Sequence, residues 1–90
     1  MQNNNFKIPT SNKLKECRIK AGLTQFDVIL RLGLRSTDRI SKWEKGTRLP
    51  SLINLFKLAE IYKVSPKELY PEIAQAILES QTPPVDPHHE

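Results

Sequence analysis

Strong hydrophobes recur along the chain in short groups at helical spacing, each group bounded by a residue that starts or stops a helix. Leu14, Cys17, Arg18 and Ala21 share one face, with Ser11 or Asn12 before them as a cap and Gly22 behind them as a terminator. Val28, Ile29 and Leu32 follow a Thr24 cap and end at Gly33. Ile40 and Trp43 follow a Ser36 cap and end at Gly46. Pro50-Ser51 opens a longer apolar stretch whose inward residues are read as Leu52, Leu55, Phe56, Leu58, Ala59 and Tyr62. Ser65-Pro66-Lys67-Glu68 has the form of a capping box with proline at the first helical position. Pro71 begins a last stripe of Ile73, Ala74, Ile77 and Leu78. No segment alternates with period two over a strand length, and the dipeptides that make tight hairpins are absent. The pattern predicts an all-α fold, a compact bundle of five or six short helices.

The two ends read differently. Residues 1–9 contain three consecutive asparagines and a proline stop, and are expected to form a flexible arm. Residues 80–90 contain three prolines and one strong hydrophobe, too little apolar material to pack, and are expected to be a disordered tail. The expected domain is therefore residues 10–79. Ninety residues allow one domain and no more. Cys17 is the only cysteine, so no disulfide forms within the chain. No apolar run approaches the roughly 18–20 residues that cross a bilayer, and the polar N-terminus lacks the apolar core of a secretion signal. The expected compartment is the cytoplasm.

The net charge is +4, but its placement matters more than its size. Residues 1–50 carry 11 Lys+Arg against 4 Asp+Glu, whereas residues 51–90 carry 3 against 6. A basic half joined to an acidic half suggests one face turned toward a polyanion, although charge of this size fits an ordinary solvated surface equally well. No cofactor motif, clustered carboxylate pair or Ser/His/Asp set occurs, so enzymatic activity is not expected. The two histidines, His88 and His89, stand together in the tail without further ligands, and no metal site is expected there.

The second and third helices are separated only by the break Gly33-Leu34-Arg35-Ser36. The run Leu23-Thr24-Gln25, Leu32-Gly33, Ile40-Ser41-Lys42-Trp43-Glu44-Lys45-Gly46 and Pro50-Ser51-Leu52 resembles the helix-turn-helix of the Xre/Cro/cI family of DNA-binding repressors, from about Leu14 to Leu69. The resemblance implies a lambda-repressor-like bundle whose third helix, about residues 37–45, enters the major groove of operator DNA. With Ile40 and Trp43 turned inward, the opposite face shows Thr37, Asp38, Ser41, Lys42 and Lys45. Thr37, Asp38, Ser41 and Lys42 become the candidate base contacts: lysine donates to guanine O6/N7 and a carboxylate accepts from cytosine N4. Thr24, Gln25, Arg35, Arg39, Lys45, Thr47 and Arg48 become the candidate phosphate contacts, which position a protein without reading sequence. The resemblance also makes Gln25 a brace for the third helix, and pairs Arg18 with Glu44 as an ion bridge between the first and third helices.

Two departures from the family pattern fall together. Ile29 stands where the family places a small residue, and the turn before Ile40 is one residue longer. The expectation is that a wider helix crossing and a longer turn compensate each other. Single modules of this kind pair on two half-sites, so a homodimer is expected. Leu69, Tyr70, Ile73, Ile77 and Leu78 are its candidate surface, with packing back onto the chain's own core as the equal alternative. The rival reading of the whole chain is a protein-interaction module of the same fold, an antitoxin or coactivator-like scaffold that meets a protein partner through the C-terminal tail.

Overall fold

The computed structural model describes residues 8–81. Residues 1–7 of the expected arm (1–9) and 82–90 of the expected tail (80–90), with His88, His89 and the partner surface assigned to the tail, lie outside the described residues, whereas Ser80 belongs to the last helix and not to a tail. Six helices follow one another: α1 (Leu14–Lys20), α2 (Gln25–Leu32), α3 (Asp38–Lys45), α4 (Leu52–Tyr62), α5 (Pro66–Leu69) and α6 (Pro71–Ser80). The described residues contain no strand. Helix α4 packs against α1, α2 and α5, α3 lies across α1 and α2, and α6 leans on α5. One core of Leu14, Val28, Ile29, Leu32, Ile40, Trp43, Leu58, Ala59, Tyr62, Leu69 and Tyr70 joins the first five helices. No helix among the described residues is long and apolar enough to cross a membrane.

The helix starts are chemically distinct. At α1 the cap position falls on Lys13, without a side-chain cap, and not on Ser11 or Asn12; Asn12, just before it, accepts the Leu14 N–H through Oδ1 at 2.9 Å. The same side chain donates through Nδ2 to the Trp43 carbonyl at 2.9 Å, so it also ties α1 to α3. Thr24 and Asp27 form a reciprocal capping box at α2: Thr24 Oγ1 accepts the Asp27 N–H and the Asp27 carboxylate accepts the Thr24 N–H. Those bonds hold the Asp27 carboxyl below its usual range. Ser51 Oγ caps α4 by accepting the Asn54 N–H, and Glu68 accepts the Ser65 N–H at α5.

Four expectations are corrected by the packing. Helix α3 starts one residue later than a Ser36 cap implies: Thr37 holds the cap position in a helical conformation without a side-chain cap, and Ser36 Oγ reaches the Asp38 N–H at 3.4 Å. Ala21 is exposed, because α1 ends at Lys20. Leu52 and Phe56 do not face the core but are 66% and 55% exposed. Helix α4 is apolar around most of its girth, and its neighbours cover the side carrying Leu55, Leu58, Ala59 and Tyr62, with Ile61 half-buried at its edge. Leu69 and Tyr70 are core residues, 0% and 5% exposed, and present nothing to a second copy. Ile29 is buried in the core as a large side chain, and Leu34, in the longer turn, packs against the same cluster.

Gly46 ends α3 at φ +80°, in the left-handed region. A Cβ placed there meets the Thr10 carbonyl oxygen at 2.9 Å, a backbone atom that cannot swing aside. Gly46→Ala is therefore expected to cost about 2 kcal/mol or more, the left-handed penalty plus displacement of the segment before α1. A urea titration checks this, and a loss under about 0.5 kcal/mol contradicts the contact.

The Tyr70 hydroxyl is buried with no hydrogen-bond partner among the described residues. Removing an unpartnered buried hydroxyl relieves its desolvation, so Tyr70→Phe is expected to stabilise the fold by about 1 kcal/mol. Burial also pushes the Tyr70 phenol up to about 12 and raises Tyr62 further in the same direction. Folding thus favours the protonated phenols. Their contribution is complete below the unfolded value of about 10 and is lost as pH rises toward the folded values. Thermal melts are expected to be flat in this respect up to about pH 10 and to fall above it, less steeply for Tyr70→Phe.

Candidate nucleic-acid interface

The interface is assembled from the α2 N-terminus, α3 and the loop into α4. Glu44 is its structural centre. Its carboxylate accepts from Arg18 Nε at 2.7 Å and Arg18 Nη2 at 3.2 Å, a two-pronged pair between α1 and α3. Arg18 Nη1 reaches the Leu23 carbonyl at 3.0 Å, so the same guanidinium also holds the turn before α2. Gln25 Nε2 donates to Glu44 Oε1 at 3.1 Å. One carboxylate therefore locks the first turn of α2 and the last turn of α3 to α1. The side chains are nearly enclosed, Arg18 11% and Glu44 6% exposed, and the bond to Glu44 raises the Arg18 pKa above its ordinary value. The brace expected of Gln25 and the bridge expected of Arg18 and Glu44 both take this form.

The outer face of α3 is polar, as expected. Asp38 and Lys42 are exposed and Thr37 and Ser41 are half-buried. Asp38 and Lys42 do not stand apart: Lys42 Nζ lies 3.1 Å from Asp38 Oδ2 across one helical turn. Both line a shallow cleft of about 430 Å³ between α3 and the start of α4, together with Arg39, Arg48, Ser51 and Asn54. Ser51 and Asn54 are not singled out in the sequence as neighbours of these basic residues. Their polar atoms gain meaning only when α4 brings its N-terminus beside three basic side chains, where free N–H groups and the helix dipole suit an anion.

The remaining phosphate candidates are placed unevenly. Arg35, Arg39, Lys45 and Arg48 are exposed and have no acidic partner among the described residues. Thr24 uses its hydroxyl oxygen as an acceptor in the α2 cap, and its side chain also hydrogen-bonds the Asp27 carboxyl. Thr47 instead directs its hydroxyl at the Lys42 carbonyl, 3.2 Å away, helping to close the end of α3. Cys17 is half-buried against the core with its thiol pKa raised, chiefly by burial. Adjoining the cleft through Leu49, an open apolar groove of about 700 Å³ is lined by Leu49, Leu55, Ile73, Ala74, Ile77 and Leu78.

Comparison with known proteins agrees with this architecture. The helix-turn-helix family profile matches residues 14–69, and the chain belongs to that family, a class of DNA-binding transcription regulators. The structure is similar to the crystal structure of the restriction-modification controller protein C.AhdI from Aeromonas hydrophila, with a TM-score of 0.57 and 34% sequence identity over 64% of this chain and 86% of that one. No curated protein matches the chain.

Proposed function

We propose that this chain is a cytoplasmic, sequence-specific transcriptional repressor that reads operator DNA as a homodimer and has no catalytic activity of its own. The observation that carries the reading is the α3 outer face, held at a set angle by the Arg18–Glu44–Gln25 lock and flanked by Arg35, Arg39, Lys45 and Arg48, which have no acidic partner among the described residues. Thr37, Asp38, Ser41 and Lys42 meet base edges. Arg35, Arg39, Lys45 and Arg48 meet phosphates beside α3, and Thr24 and Gln25 do so at the α2 N-terminus. Thr47 serves the backbone of α3 first and reaches phosphate only by giving up its bond to Lys42. Self-association uses the exposed part of the expected surface, Ile77 and Leu78 with the edge of Ile73, because α6 buries no residue fully within one chain. The similarity to a restriction-modification controller makes the genes of such a system the first operators to test.

Selection of bound duplexes from a random pool tests the reading, and a palindromic enriched site is the expected result. In titrations on that site, Lys42→Ala is expected to relax base preference. Arg48→Ala is expected to weaken all duplexes alike and to reduce the slope of log K against log salt by about 1. Absence of enrichment, or binding that does not respond to salt, removes the proposal in favour of a protein-interaction scaffold.

A further inference from the structure

We infer that Asp38 and Lys42 act as one recognition unit that reads a single G·C base pair, and not as two separate base contacts. The inference rests on the DNA-reading function proposed above. It starts from the 3.1 Å ion pair between Lys42 Nζ and Asp38 Oδ2 on the exposed face of α3. An ammonium and a carboxylate held side by side present one donor next to one acceptor. In the major groove a G·C pair presents N7 and O6 as acceptors on guanine, followed by the N4 amino donor on cytosine. Guanine O6 and cytosine N4 are themselves hydrogen-bonded partners at about 2.9 Å. Their spacing matches that of the protein pair. Lys42 Nζ faces guanine and Asp38 Oδ2 faces cytosine N4, so the four groups close a ring of alternating charge.

Neither side chain must abandon the other to do this. The ammonium has three N–H donors, of which one serves Asp38 and two remain for guanine N7 and O6. The carboxylate likewise keeps free lone pairs after accepting from Lys42. An A·T pair meets the unit less well. Its adjacent donor and acceptor, adenine N6 and thymine O4, give one bond to each side chain. Adenine N7 is then unmet and the thymine methyl lies against the ammonium.

The pair also governs non-specific binding. A neutralised Lys42 adds little to phosphate attraction, while the nearby Arg39 and Arg48, which line the same cleft, supply it without a carboxylate partner among the described residues. Affinity for any duplex and preference for one base pair are thereby assigned to different side chains.

The test is a double-mutant cycle on the enriched duplex and on copies in which each G·C pair is replaced in turn by A·T. Circular dichroism confirms the fold of each variant, since both side chains are exposed. For the unsubstituted chain, replacing the one pair that is read is expected to weaken binding roughly 5- to 150-fold. Asp38→Ala and Lys42→Ala are each expected to abolish preference at that same pair, and the double variant to lose no more than either single variant. Loss of preference at two different base pairs overturns the inference. So does an Asp38→Ala variant that binds all duplexes more tightly with base preference intact, for then the carboxylate only repels phosphate. If the unsubstituted chain enriches no site, the DNA-reading proposal and this inference fall together; the other two adverse results remove this inference alone.

Discussion

Glu44→Ala is expected to cost about 3–5 kcal/mol of folding stability, the range for breaking a buried ion pair from one side. The carboxylate receives three hydrogen bonds from two other helices. Its removal leaves the nearly enclosed Arg18 guanidinium charged and short of two hydrogen bonds, and frees the Gln25 amide. A domain of this size is typically stable by 5–15 kcal/mol, so the loss is a large fraction of the whole. At roughly 4–8 °C per kcal/mol, the melting temperature is expected to fall by more than about 12 °C. Urea unfolding followed by the fluorescence of Trp43, the sole tryptophan and a core residue, measures it. Removing both charges should be less damaging than the two single losses added together, because no stranded ion remains. Arg18→Lys should fall between, since an ammonium cannot bridge the carboxylate and the Leu23 carbonyl with the same fork. A loss under about 1 kcal/mol for Glu44→Ala contradicts the role given to this residue.

Leu69→Ala is expected to cost about 2–5 kcal/mol, while Leu78→Ala changes stability by less than about 0.5 kcal/mol. Leu69 has no exposed surface, and its carbonyl accepts the Lys13 N–H at 2.9 Å, joining the end of α5 to the entry of α1. Truncating its side chain opens a cavity where α5 meets the rest of the bundle. Leu78 is 63% exposed on α6 and loses little when shortened. The two differ in the opposite sense toward a second copy. Leu78→Glu is expected to shift sedimentation toward the monomer, with an unchanged unfolding midpoint at concentrations where both proteins are monomeric, since the substitution puts charge on the proposed contact and none in the core. If Leu69→Ala weakened self-association with no effect on folding, the assignment of the two residues would be reversed.

Much of the fold was legible because its punctuation is local. Gly33 and Gly46 end α2 and α3 in the left-handed conformation that glycine adopts without penalty. Asn12, Thr24 and Ser51 satisfy helix-start N–H groups within two or three residues of themselves. The inward face of α3 followed from spacing alone, because Ile40 and Trp43 are its only hydrophobes and lie on one side; α2 buries Val28, Ile29 and Leu32 at helical spacing while its Phe26 and Leu30 stay exposed. Helix α4 defeated the same rule. Its run Leu52-Ile53-Asn54-Leu55-Phe56 places apolar side chains in nearly every direction, and periodicity does not choose a buried side when all sides qualify. The choice was made by where α1, α2 and α5 sit.

The interface divides in the same way. Local patterning alone specified the helical class, the basic half that contains α3, the outward position of Asp38 and Lys42 and the i, i+4 spacing that lets them pair. These depend on contacts within one helix, which spacing specifies. Helix packing, by contrast, brings Glu44 to Gln25 as well as to Arg18, and Ser51 and Asn54 into the basic cleft. It also closes Gly46 in with Thr10 and assigns Leu69 and Tyr70 to the core. Each of these joins groups far apart in the chain, whose meeting depends on how whole helices pack, and no local spacing encodes that distance.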